Sequence, residues 1–339
     1  MNRELAAAAA RLAAQAGYEG RVTLHPLSGG GNNRAFRVEL AGEPDLFLKA
    51  YFHHPQDPRD RLGAEFAFSQ YAWEAGVRCI PRPIAADGDL RLGLYEYVAG
   101  DRPAQEDVTP ARVQEAAHFF ANLNTGRDTA PGLAAASEAS WTLAAHEECI
   151  RRRVDRLRDA ADSDGDPAFR GFMRAELLPF ARDVFRALCR LPRTLLEYRL
   201  PDAEWCISPS DFGFHNALIG PDGQLTFIDF EYAGWDEPAR MICDFFCQVQ
   251  VPVEYLHLGA FCHTVLGPFR QPALHLDRMR ALMPLYQLKW CCIVLNEFLP
   301  VGAARRQFAS REHGPEVQRP LKLAQARAML DQLKDLTAA

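Results

Sequence analysis

The pattern of apolar and polar positions changes character near residue 109. Before it, short alternating runs dominate. Residues 3–17 are an exception, with apolar side chains at helical spacing up to Gly17-Tyr18-Glu19-Gly20. Arg21–Leu27 and Ala35–Leu40 read as two strands joined by Ser28-Gly29-Gly30-Gly31-Asn32-Asn33. Asp45–Tyr51 is a third strand. Asp60–Ala75 is a helix, with Leu62, Phe66, Ser69, Gln70 and Trp73 spaced along one face. Pro81 and Pro83 break the chain, and Gly93–Gly100 is an apolar strand running into a glycine. Beyond Thr109 the period becomes helical, over Pro110–Leu123, Ala139–Ala161 and Ala168–Leu191, and again from Ala239 onward. One stretch interrupts the helices. In Ile207–Pro238, Leu225-Thr226-Phe227-Ile228 reads as a short buried strand and Gly220-Pro221-Asp222-Gly223 as a turn before it. The class is therefore α+β.

Composition narrows the setting. The 339 residues are 48% hydrophobic and 24% charged, which suits a globular enzyme with a sizeable core. A net charge of −6 leaves no nucleic-acid footprint. No apolar run reaches the length of a membrane span, and Glu4 and Arg11 interrupt the N-terminal alanines where a signal peptide would be apolar. The nine cysteines contain no CxxC pair, so free thiols in a reducing cytoplasm are expected.

The candidate chemistry lies in Ile207–Pro238. Asp211 is followed at plus five by Asn216, the spacing of a kinase catalytic loop, in which the Asp orients a hydroxyl and the Asn ligates magnesium. Asp229 ends the Leu225–Ile228 strand, so a hairpin brings Asn216 and Asp229 side by side as oxygen ligands for a hard cation. Asp211-Phe212-Gly213 spells a metal-holding kinase triplet. However, the run before it, Ser208-Pro209-Ser210, is no strand, and Asn216 marks Asp211 as the catalytic-loop acid. Only four of the 38 basic residues are lysines, and Lys49 is the only one before residue 289. It sits on the third strand, where kinases place the lysine that meets the α and β phosphates. Glu65 on the following helix is its expected partner, with Glu74 the rival. Gly29, Gly30, Gly31 and Asn32 allow backbone amides to approach phosphate closely.

These residues resemble the aminoglycoside phosphotransferase and choline kinase group, the small-molecule branch of the protein-kinase-like fold. Asp211, Asn216, Ile228, Asp229, Phe230 and Glu231 match its pattern, while Pro209-Ser210 stands where His-Gly is common. The resemblance implies a bilobal fold, with a small antiparallel-sheet lobe over residues 1–97 and a mainly helical lobe over 98–339. It also implies ATP and magnesium as cofactors, backbone contacts to adenine near Glu96 and Val98, and a small-molecule hydroxyl as acceptor. Asp244 is the candidate for a buried acid supporting the catalytic loop. Trp290, Asn296, Glu297, Arg305 and Arg306 are candidates for the acceptor pocket. Sugar or envelope-polysaccharide precursors lead among acceptors, and aminoglycosides or choline-like amino alcohols stay open. So do a nucleotide-binding pseudokinase scaffold and a hydrolase using Asp211 and Asp229 as a carboxylate pair.

Overall fold

The computed structural model describes residues 2–27, 33–54, 57, 59–129, 132–163, 166–299 and 315–338. Helix α1 (Asn2–Gln15) leads into strands β1 (Val22–Leu27), β2 (Arg34–Leu40) and β3 (Leu46–Ala50), then helix α2 (Arg61–Glu74) and strands β4 (Pro83–Asp87) and β5 (Leu92–Glu96). The sheet runs β1-β2-β3-β5-β4, antiparallel throughout. Side chains alternate across a strand. Phe36, Val38 and Leu40 of β2 and Leu46 and Leu48 of β3 therefore pack with Ala9 and Leu12 of α1 in one core. The same alternation turns Lys49 to the other face, toward α2. Asp60 starts α2 by accepting a bond from the Gly63 amide at 2.9 Å.

The helical part follows: α3 (Pro110–Asn124), α4 (Leu143–Ser163), α5 (Pro167–Phe172), α6 (Leu178–Leu188) and α7 (Arg193–Leu196). Strand β6 (Cys206–Ser208) pairs with β9 (Gly234–Asp236), and β7 (Ala217–Ile219) pairs with β8 (Leu225–Phe227). Helices α8 (Pro238–Cys247), α9 (Leu258–Val265), α10 (Pro272–Val294) and α11 (Pro315–Ala338) complete it. Their apolar faces share a second, larger core that also takes in Phe68, Tyr71 and Ala72 of α2. Among the described residues no helix is long and apolar enough to cross a membrane, and all nine cysteines are free thiols.

The α+β class and the bilobal layout, a small antiparallel sheet followed by helices, are as expected. Three local readings change. Pro83 does not break the chain but opens β4, where an edge strand spares its missing N–H. The helix expected over Ala168–Leu191 is two helices joined by a π-turn at Met173–Leu177. Pro179 has no N–H for the Ala175 carbonyl and its ring crowds that carbonyl, which the wider turn relieves. The helix expected from Ala139 begins at Leu143, where the Thr142 hydroxyl accepts from the Ala145 amide at 3.1 Å.

Candidate active site

The loop after β6 is shaped by its own phenylalanines. Phe212 and Phe214 are 2% and 1% exposed. Phe212 packs 5.5 Å from Phe119 and Phe214 packs 5.9 Å from Phe245, ring centre to ring centre. Seating them inward leaves the Asp211 side chain 37% exposed at the cleft. The backbone is held on both sides of it. Ser210 takes a left-handed φ of +67°, and its hydroxyl accepts from Arg240 Nη2 at 3.2 Å. The Asp211 carbonyl accepts from Asn216 Nδ2 at 2.8 Å. Arg240 in turn is paired with buried Asp236 at 3.0 Å.

The β7–β8 hairpin closes with the Ile228 amide donating to the Asn216 carbonyl at 2.9 Å. Asn216 and Asp229 thus come to the same hairpin end. Asp229 has φ +69°, a left-handed conformation that Asp tolerates better than most residues. Phe230, buried 4.6 Å from Phe68, anchors it. Lys49 reaches across the cleft to this point. Its ammonium donates to Glu65 Oε2 at 2.6 Å and to Asp229 Oδ1 at 2.6 Å. Glu65, and not Glu74, is its helix partner. Behind the pair, the Tyr51 and Tyr95 hydroxyls lie 2.8 Å apart.

Charge in this cleft is unbalanced. Burial pushes Glu65 up to about 7, with Asp229 and Glu231 adding to the shift and Lys49 opposing it. Burial also lifts Asp229 above the usual carboxylate range; Lys49 opposes this, while Glu231 and Asp211 reinforce it. Burial disfavours the Lys49 charge, yet Asp229, Glu65 and Glu231 hold its pKa well above the ordinary value. The crowding of acids fits a hard divalent cation. Asn216 and Asp229 offer an amide and a carboxylate oxygen, and Asp229 is 40% exposed. Among the described residues no cluster of three or more His, Cys, Asp or Glu side chains is placed to hold a metal. A cation here would complete its shell with phosphate and water.

Other expected positions sort as follows. Gly29, Gly30, Gly31 and Asn32 lie outside the described residues, as do Arg305 and Arg306. Of the two hinge positions, the Glu96 amide is occupied, donating to the Arg82 carbonyl at 2.9 Å. Asp244 does not reach the catalytic-loop backbone. Its carboxylate accepts from Lys289 Nζ at 2.8 Å to each oxygen and from Trp290 Nε1 at 2.9 Å. Asp236, at 3.0 Å, and Asp244, at 3.5 Å, both pair with Arg240, the residue that reaches the loop at Ser210. Trp290 is 5% exposed.

A model of the phosphotransferase enzyme family matches residues 23–251. The chain belongs to that family. Membership bears out the expected enzyme class, an ATP-dependent phosphotransferase acting on a small molecule. Solved structures share the fold at low identity. The choline kinase LicA of Streptococcus pneumoniae is 12% identical, with 97% of this chain and 99% of that one covered, at a TM-score of 0.59. A choline/ethanolamine kinase family protein of Mesorhizobium loti is 20% identical, covering 95% and 93%, at 0.58. A spectinomycin phosphotransferase in complex with ADP and spectinomycin is 12% identical, covering 92% and 94%, at 0.56. No curated protein sequence matches the chain.

Several residues that build this phosphotransferase's cleft escaped the sequence reading. Asn33 Nδ2 donates to Glu231 Oε2 at 2.6 Å, and Arg61 Nη1 donates to Glu231 Oε1 at 2.8 Å. These bonds tie the end of the glycine turn and the start of α2 to the loop after β8 that carries Asp229. His215 Nε2 lies 3.2 Å from Asp211 Oδ1. Asp211 is desolvated, but His215, Lys289 and Asn216 hold it below the ordinary carboxylate value. Lysine scarcity, which pointed to Lys49, pointed equally to Lys289.

Proposed function

We propose that the chain transfers the γ-phosphate of ATP to a hydroxyl of a neutral or anionic small molecule, such as a sugar or envelope-polysaccharide precursor. The observation that carries this reading is the Lys49 ammonium, 2.6 Å from Glu65 on one wall and 2.6 Å from Asp229 on the other. Lys49, steadied by Glu65, fixes the α and β phosphates. Asn216 and Asp229 would hold magnesium, whose charge offsets that on the β and γ oxygens. Asp211 accepts a hydrogen bond from the acceptor hydroxyl and aims it in line. The acceptor oxygen bonds to the γ phosphorus as the bond to the β–γ bridging oxygen breaks. The hydroxyl proton passes late to Asp211, and ADP leaves. An ordinary carboxylate is a weak base, so the gain from Asp211 is mainly orientation.

Charge supports this acceptor class. Choline, named for one solved relative, is a quaternary ammonium, and spectinomycin, named for another, carries amines. A cationic acceptor is held by unpaired acids or by aromatic faces, and the acids grouped around Lys289 and Arg240 are already matched. Asp244 is held by Lys289, Asp236 by Arg240 and Glu138 by Arg153.

The test is ATP consumption with magnesium across sugars, amino alcohols and aminoglycosides. Turnover is expected with a sugar derivative, falling about 10²- to 10⁴-fold in Asp211→Asn while ATP binding survives. A near-normal rate in that variant would remove Asp211 from the mechanism. Lys49→Ala with full activity would favour the hydrolase reading, and ATP binding without turnover on any hydroxyl would favour a scaffold.

A further inference from the structure

His215 is four residues past Asp211 on the short turn Phe214–Asn216, and its ring is 4% exposed. It is too deep to touch a substrate, yet its Nε2 lies 3.2 Å from Asp211 Oδ1. Three features fix the ring. Its own carbonyl accepts from Arg102 Nη1 at 2.5 Å. Trp290 meets it edge-on at 6.4 Å, and Trp290 is itself held by Asp244. A Cβ at Gly213 would lie 2.8 Å from His215 Nδ1, so the ring is packed directly against a position that only glycine leaves open. Nδ1 is buried and has no hydrogen-bond partner. A proton on Nδ1 would be a buried donor with nothing to receive it, whereas a proton on Nε2 has the Asp211 carboxylate.

We infer that His215 is the positioning residue that locks the Asp211 carboxylate, donating from Nε2 to Oδ1 and leaving the other oxygen for the incoming hydroxyl. The inference rests on the proposed role of Asp211. Without the imidazole, Asp211 keeps its backbone anchors but its side chain is free to rotate, and a misplacement of about 1 Å at such a group costs about 10²-fold in rate.

The experiment measures ATP–magnesium turnover in the full-length chain with water as acceptor, which needs no knowledge of the natural one. Alongside it run ATP affinity and thermal melting. His215→Ala is expected to lower kcat about 10²-fold with KM for ATP unchanged within about 2-fold. His215→Gln, whose amide nitrogen can stand near Nε2, should recover at least about 10-fold of that loss. Gly213→Ala, which displaces the ring without removing it, should lower kcat with the same KM pattern. That variant keeps the inference testable if His215→Ala does not fold. Wild-type kcat in His215→Ala, or equal losses in the Ala and Gln variants that follow a fall in melting temperature, would overturn it. If Asp211→Asn is inactive while His215→Ala is fully active, only this inference fails. If Asp211→Asn is itself fully active, the reading beneath it fails.

Discussion

Two buried charge networks in this molecule are built to opposite ends. In the cleft, Lys49 faces Glu65, Asp229 and Glu231, and Glu65 is pushed up to about 7 by burial and by its acidic neighbours. In the helical lobe, Glu237 accepts two bonds from Arg278, at 2.5 and 2.7 Å, and lies 3.1 Å from His146 Nε2. His146 also bonds the Tyr286 hydroxyl at 2.9 Å. Burial would raise Glu237, but Arg278 and His146 reverse that and hold it at about 2. The second network is complete within the protein and joins α4, the start of α8 and α10. In the first, Arg61 holds Glu231 at 2.8 Å, so Glu65 and Asp229 share the single charge of Lys49, an excess of one acid that a bound cation or a proton on Glu65 would offset. A buried network tuned for stability satisfies itself, whereas one tuned for ligand binding is left short.

Breaking the complete network should have the largest effect on folding. Arg278→Met leaves Glu237 buried without its guanidinium and is expected to cost about 3–5 kcal/mol, read from urea unfolding. Loss of under about 1 kcal/mol would show that the network contributes little. Lys49→Met sharpens the contrast, because Glu65 can then take the proton that its burial favours. Turnover should fall about 10²- to 10³-fold, about 3–4 kcal/mol at the transition state, while folding stability changes far less than in Arg278→Met. The reverse ranking would erase the distinction between the two networks.

Acid titration separates them next. The folded-state pKa of Glu237 is depressed, so its stabilisation is fully present above its ordinary 4.5 and is lost as pH falls toward about 2. That loss is about 3 kcal/mol, and it should vanish from the stability–pH profile of Glu237→Gln. Glu65 has the opposite sign. Its raised pKa favours the fold at low pH and stops doing so as pH rises through about 7. The smallest effect is a gain. ATP–magnesium at 100 times its dissociation constant should stabilise the wild type by about 2.7 kcal/mol, and Asp229→Asn should lose most of that shift in a thermal melt.

The cleft was legible where its chemistry is local or compositionally odd. Asp211, Asn216 and Asp229 fall in one short stretch, and the spacing of the first two carries meaning by itself. Lys49 stood out because lysine is rare in this chain, and Glu65 lies on the α2 face turned to β3. What stayed hidden converges from distant segments. Asp244 and Lys289 are 45 residues apart, and Asn33 and Glu231 are 198 apart. No periodicity links such pairs. His215 was hidden differently: a histidine beside two buried phenylalanines reads as loop filler until the ring's direction is known. In the fold, β4 was lost because proline argues against a strand unless the strand is known to lie at an edge.

The linker after β5 has its own consequence. Asp101 pairs with Ile219 through two backbone bonds of 3.1 and 2.8 Å, and a Cβ at Gly100 would lie 2.6 Å from the Ile219 carbonyl. With Arg102 fastened to the His215 carbonyl, the chain at residues 100–102 travels with the lower jaw. The crossing at Tyr97–Ala99 is one pivot of any swing that admits nucleotide, and the segment around Cys79, bonded to Phe227 at 2.8 Å, is another. A bulky side chain at position 100 would act as a wedge between linker and β7–β8 hairpin, loosening that anchorage without touching a single reacting group.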